Sequence, residues 1–283
     1  MCLYFSRLSI VLLILGHADG FLLPRDHCRI HFRAAATANR GDESLIIPVF
    51  PLRKLVRLPT ERLTLNLYED RYLGLAEFVL KSDSRLFGAL YSSDKPQVVP
   101  KGMDNIVPML QPGDVGVICV LEDSEEAHIP TQGAAPRRRI RLVGTGAGRF
   151  RIKKILHNGY GDDSLPFIIV EALRLNDKNC SLHESDLEEE LCTKLIQTSR
   201  DKEGGFLRES DEKIESLTAK LDGKDLAEQW SEQNKKELRS FAIASALLSD
   251  GFSTERLEIL RMQSTTDRLN LLEASLPKAW GFW

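Results

Sequence analysis

Several groups of residues in this sequence have the types and spacing that chemistry needs. Lys235 and Lys236 stand ahead of Ser240, Ser245 and Ser249, and a lysine beside a serine hydroxyl can serve as the base that makes a nucleophile. Glu122, Asp123, Glu125 and Glu126 gather carboxylates of the kind used in general acid–base catalysis. Gly144-Thr145-Gly146-Ala147-Gly148 has the glycine density of a phosphate-cradling loop. Arg137-Arg138-Arg139 suits a phosphate or an acidic partner. His27, Cys28 and His31 are metal-ligand types, and Trp230, Trp280 and Trp283 are possible stacking platforms.

Each group also has a plainer account. Serine and lysine at helical spacing are usually solvated surface, and no oxyanion-hole signature accompanies these. The glycine cluster lacks the Lys and Ser/Thr of a phosphate loop and misses the G-x-G-x-x-G spacing, so it reads as punctuation within or beside a strand. Glu122 to Glu126 read as an exposed acidic loop. Consecutive arginines on a strand point to alternate faces, so Arg137 to Arg139 are expected at a solvated loop edge rather than in one patch. Helix packing and the chain tail account for the tryptophans. The sequence therefore assigns no catalytic, cofactor-binding or metal-binding residue.

Composition narrows the class. Hydrophobic residues make up 42% and charged residues 28%, with a net charge of −3, which is globular and carries no global bias toward nucleic acid. Cys2, Cys28, Cys119, Cys180 and Cys192 are scattered and never form C-x-x-C, so neither a disulfide framework nor a zinc finger is indicated.

Residues 1–20 read as a signal peptide, with Arg7 flanking the apolar run Leu8 to Leu15 and small residues at Gly16, Ala18 and Gly20. That run is too short for a stable membrane anchor, which needs about 20 apolar residues. Residues 21–40 add Arg25, Arg29, Arg33 and Arg40 against the single acid Asp26, with an alanine-rich stretch at 34–38, the composition of a transit peptide. The pair, with Phe21 at the junction, resembles the bipartite presequence of algae with secondary plastids. A plastid is the expected location, with secretion or the endomembrane lumen as the alternative. His27, Cys28 and His31 lie in this disposable segment.

The elements that must position any site come next. Short apolar runs broken by turn residues predict strands at 46–50, 63–67, 85–91, 115–122, 139–143, 150–156 and 167–175. Tyr72, Leu75, Ala76, Val79 and Leu80 at helical spacing predict one inserted helix at 69–81. Pro48 and Pro51 lack the ladder donor and place the first strand at an edge or on a bulge. After residue 177 the pattern changes. Residues 181–240 carry sixteen acids against ten bases, with apolar residues at three- and four-residue spacing, which predicts amphipathic helices with a break at 201–205. A more apolar helix is predicted at 233–249. Ser253 and Thr254 are expected to cap a helix through Met262, and Ser264-x-x-Asp267 has capping-box form.

Phe50-Pro51-Leu52 closing an apolar strand, Glu69, Arg71 and Tyr72 after it, Phe87-Gly88-Ala89-Leu90, Gly116-Val117-Ile118-Cys119-Val120, Arg141-Leu142-Val143-Gly144, Gly148-Arg149-Phe150-Arg151-Ile152 and Val170-Glu171-Ala172-Leu173 follow in an order that resembles the amino-terminal substrate-binding domain of the Lon family of ATP-dependent proteases. Asp267-Arg268-Leu269 resembles the end of the helical bundle that follows the barrel in that family. Two departures stand out. Pro59-Thr60-Glu61 replaces the family's frequent Pro-Gly, changing that turn, and residues 124–139 are longer and more polar than the family's short hairpin. No phosphate loop of the form G-x-x-x-x-G-K-[ST] occurs in the sequence, and the missing zinc cysteines set it apart from the RING-finger and cereblon kinds of Lon-domain protein.

The expected fold is therefore α+β: a barrel-like β domain at 45–177 with an inserted helix, then a helical bundle at 184–276. The resemblance implies a non-enzymatic, stand-alone polypeptide-binding or adaptor protein in protein quality control. Its expected partners are unfolded or exposed apolar segments and a protease or chaperone, with no nucleic acid and no cofactor. An enzyme with a carboxylate site, or a small-molecule-sensing adaptor, is the alternative.

Overall fold

A computed structural model describes residues 44–92, 110–131, 134–158, 167–177, 182–200 and 227–279. Residues 1–40, the break at 201–205, Trp280 and Trp283 lie outside these, as does the side chain of Trp230.

The strands are β1 (Ser44–Arg53), β2 (Arg62–Leu67), β3 (Leu86–Ser92), β4 (Val115–Thr131), β5 (Ala134–Asn158) and β6 (Ile168–Leu175). The helices are α1 (Asp70–Lys81), α2 (Leu182–Arg200), α3 (Ala227–Leu247), α4 (Ser253–Arg261) and α5 (Thr265–Ala279). The fold is thus mixed α+β. β2 shows the local logic most simply: Leu63, Leu65 and Leu67 are buried while Arg62, Thr64 and Asn66 face solvent, the period of two that a half-buried strand requires. α1 buries Leu73, Leu75, Ala76 and Val79 on one side, with Asp70 in its first turn and Lys81 in its last, as the helix dipole favours.

The sheet order is β2-β5-β4-β3-β1-β6, and β5 also pairs with β6, so the ladders β5-β4-β3-β1-β6 return to β5. β1 and β3 are parallel and the other pairs antiparallel. One buried cluster draws Ile47 and Val49 from β1, Leu90 from β3, Ile118 from β4, Phe150 from β5 and Val170 from β6, so it fills the space these five strands share. Its centre is Phe150, whose ring lies where a Cβ on Gly116 or Gly88 would come within 2.6 or 2.9 Å. Only glycine admits the ring that closely. The larger cluster covers the other face and joins Leu65, Phe87, Val117 and Leu142 to Leu195, Phe241, Leu260 and Leu272 of the helices.

Several expectations need correction. The segments 139–143 and 150–156 are one strand, β5, which pairs with β2 at 140–145 and with β6 at 149–158. Residues 124–131 and 134–139 are strand rather than loop. They extend β4 and β5 into a two-stranded arm, Glu125 opposite Arg141 and Ala127 opposite Arg139. Because alternation then places Arg137, Arg139 and Arg141 on one face, three arginines do share a side, which the reading of consecutive residues missed. β1 lies inside the sheet order rather than at its edge. Its prolines are tolerated because β6 pairs only with Ser44 to Val49 and β3 only with Val49 to Arg53, so each proline has one open side.

Pro59 and Thr60 form the centre of a turn. Glu61 N donates to Leu58 O at 3.2 Å and Thr60 has φ of 75°, so a threonine occupies the left-handed position of a turn that normally takes glycine. At the helices, Ser264 Oγ accepts from Asp267 N at 3.2 Å, as a capping box requires. Ser253 instead lies within α4, and its hydroxyl donates to the carbonyls of Lys54 and Asp250.

Candidate functional site

The serines near Lys235 and Lys236 are committed elsewhere. Ser240 Oγ is buried, donates to Glu237 O at 2.6 Å and accepts from Arg268. Ser245 Oγ donates to Glu61 Oε1 at 2.6 Å, and Ser249 lies beyond the end of α3. Lys236 Nζ stands 4.0 Å from Glu188 Oε2. Ser240, Ser245 and Lys236 therefore meet other partners, and no contact between one of these serines and a lysine occurs among the described residues.

The acidic run on β4 is likewise tied up in part. Glu125 meets Arg139 at 3.3 Å and Arg141 at 3.4 Å, and Glu126 meets Arg138 at 2.8 Å. Arg138 continues to Glu77 of α1 at 2.5 Å, and Arg137 stacks over Tyr68 at 5.4 Å. The hydrogen bond from Arg138 holds the Glu126 carboxyl below the usual carboxylate range, and the same contact, with Glu77, raises Arg138. A general acid needs its carboxyl pushed up, so Glu126 is poised the wrong way for that role. The two described thiols are quiet too: burial pushes Cys119 up to about 12 and Cys192 up to about 11, which leaves both protonated at neutral pH. Among the described residues no group of three His, Cys, Asp or Glu side chains can hold a metal.

The charged groups that matter most to the architecture are buried. Arg149 of β5 donates to Asp177 Oδ1 at 2.7 Å, to Glu237 Oε1 of α3 at 2.8 Å and to Leu260 O of α4 at 3.0 Å. Arg268 of α5 shares Asp177 Oδ1 at 2.7 Å, while Thr265 donates to Asp177 Oδ2. Glu237 Oε2 accepts from Asp177 N at 2.7 Å. Two guanidiniums and two carboxylates cancel, and the Phe241 ring lies 4.0 Å from Arg268 and 5.0 Å from Arg149. Burial lowers Arg268, with Asp177 opposing that shift. This clasp fastens the strands to three helices.

A second clasp is centred on Arg256 of α4, which donates to Glu61 Oε1 at 2.5 Å, Leu248 O at 2.6 Å and Val56 O at 3.1 Å. Arg149 and Arg268 stand within Gly148-Arg149-Phe150 and Asp267-Arg268-Leu269, segments that carry the family resemblance but give the arginines no role.

Side chains able to touch an apolar ligand lie elsewhere. Ile46, Leu156 and Leu187 are the large hydrophobics left exposed among the described residues. Ile46 sits opposite Glu171 of β6, and Leu156 falls in the β5 bulge facing Val170 and Ile169, so both flank the same stretch of β6. Separately, α1 presents half-buried aromatics: Tyr72 against Phe50 at 4.7 Å, with Arg71 over its ring at 4.6 Å, and Phe78 against Phe167 at 5.4 Å. Apolar and aromatic side chains with charged neighbours suit transient contact with unfolded chains.

A family profile described as the ATP-dependent protease La (LON) substrate-binding domain matches residues 46–277. Among solved structures, a Lon N-terminal domain protein from Xanthomonas campestris is 20% identical over 82% of this chain and 99% of its own, with a TM-score of 0.44. The N-terminal domain of Mycobacterium avium complex Lon protease is 16% identical over 81% of this chain and 97% of its own, with a TM-score of 0.46. No curated protein matches.

Proposed function

We propose, given that this chain belongs to the family of the ATP-dependent protease La (LON) substrate-binding domain, that it binds exposed apolar segments of unfolded polypeptide without cleaving them and without ATP. The observation that carries the proposal is the family match across residues 46–277, which takes in both the strand circuit and the helices. The closed circuit of ladders is read as a small barrel and the helices from α2 onward as a bundle packed on it. Contact is assigned to Ile46, Leu156 and the aromatic margin of α1. Binding is weak, because association and the ordering of an unfolded client offset much of the apolar burial.

Within the cell, the proposed role is an adaptor in plastid quality control that presents clients to a separate protease or chaperone. Residues 1–40 supply the address, and among the described residues no helix is long and apolar enough to cross a membrane. A fluorescent fusion of residues 1–40 tests the address: plastid import is expected, and secretion or cytosolic retention contradicts it. Incubating the purified chain with a labelled unfolded protein, with and without ATP, tests the activity. Binding that is unchanged by ATP and leaves the label intact is expected, whereas fragments of the label overturn the non-enzymatic reading.

A further inference from the structure

Among the described residues, the arm formed by β4 and β5 has one long side that no strand joins. β3 accompanies β4 only as far as Val120, and Leu121 N then reaches Arg85 O at 3.0 Å. Beyond that point β4 pairs, among the described residues, on one side alone, with β5, and Glu122 to Glu126 are exposed. The far side of β5 is occupied differently: Arg137 covers Tyr68, and Arg138 reaches Glu77 of α1. The arm thus has one side against α1 and one that no described residue pairs with. An unpaired strand edge offers a row of amides and carbonyls that a second extended chain can join.

The side chains along that edge select what joins. An added strand sets its Cβ atoms about 4.5–5.5 Å from those directly opposite, and like charges placed opposite one another are destabilising. The newcomer meets the carboxylates of β4 first, because the arginines of β5 lie one strand further away. Glu125 and Glu126 are already engaged by Arg139, Arg141 and Arg138. Glu122 and Asp123 have no ion pair among the described residues, since the bulge between Leu121 and Asp123 takes Glu122 out of register with β5. Asp123 Oδ1 accepts only the neighbouring Ser124 N, at 2.8 Å. A second copy of β4 would set carboxylate against carboxylate, and an acidic segment would do the same.

We propose that the open edge of β4, from Glu122 to His128, captures an extended polypeptide segment bearing lysine or arginine by adding it as a strand, with Glu122 and Asp123 facing its cations. This rests on the polypeptide-binding reading and gives it a second determinant, backbone and charge, alongside apolar contact. Segments that alternate apolar and basic residues then bind through both.

The test is fluorescence anisotropy of the full chain with labelled peptides of alternating valine and lysine or alternating valine and glutamate. Two to four favourable cross-strand pairs predict about a tenfold preference for the lysine peptide. Two further lysine peptides, N-methylated on alternate residues in opposite phase, are expected to differ: one phase abolishes binding and the other leaves it intact. E122K/D123K, at two exposed positions, should remove the preference while binding of an unfolded protein depleted of lysine and arginine persists. Equal binding of the lysine and glutamate peptides, or tolerance of both methylation phases, overturns the edge assignment. If the depleted unfolded protein binds wild-type chain and the lysine peptide does not, the edge assignment alone falls. If neither binds, the polypeptide-binding reading falls with it.

Discussion

The same chemistry, arginine against carboxylate, appears twice in this molecule with opposite consequences. In the clasp, Arg149, Arg268, Asp177 and Glu237 are buried where strands meet helices. In the arm, Arg138, Arg139 and Arg141 meet Glu125 and Glu126 in contact with water. Desolvation separates the two. A buried ion left without its partner keeps the full cost of having left water, whereas an exposed one is rehydrated at once. The clasp therefore controls whether the helices stay docked, and the arm's charges are free to serve recognition.

The largest effect is expected from breaking the clasp. Asp177→Asn strips Arg149 and Arg268 of their shared anion and should destabilise the fold by about 3–5 kcal/mol, read as a shift in urea midpoint. Gly116→Ala comes next, at about 1–3 kcal/mol, because its methyl meets the Phe150 ring and Ala89 O with no room to yield. Thr60→Gly runs the other way: relieving a β-branched residue at φ of 75° should raise stability by about 1 kcal/mol. An unchanged midpoint would mean that the left-handed turn costs nothing. Arg139→Ala in the arm should change stability by less than about 1 kcal/mol, and a loss as large as that of Asp177→Asn would erase the distinction between the regions.

The smallest effect is a pH dependence. Arg138 holds the Glu126 carboxyl below 4.5, so its contribution is present above that value and is lost as pH falls through the lowered one. The stability difference between wild type and Arg138→Ala should accordingly shrink as pH falls through that lowered value and Glu126 protonates, leaving the part that comes from Glu77. A difference that grows on acidification would contradict the sign.

Where one face of an element was buried, the sequence was easy to read. β2 and α1 showed their periods clearly, and the ordered run from Phe50-Pro51-Leu52 to Val170-Glu171 carried the family likeness that the profile at 46–277 bears out. The arm was illegible because its acids and arginines meet water, so no apolar alternation marks 123–131 and 134–138 as strand. Thr60 hid a left-handed turn, since a β-branched residue signals extended backbone. The clasp was hidden differently: its members stand at 149, 177, 237 and 268, and their meeting is a product of tertiary packing that no local spacing reveals. The candidate apolar surface of Ile46, Leu156 and Tyr72 was invisible for the same reason.

The central claim, capture of unfolded polypeptide through apolar contact, is tested most directly by titrating the purified chain with a labelled unfolded protein depleted of lysine and arginine at low and high salt. At about 0.5 M salt the Debye length is only a few ångströms, so an ionic contact is screened while apolar burial is not. An affinity that holds or tightens across that range is the predicted result. Loss of binding at high salt would contradict it and transfer the function to the charges of the arm.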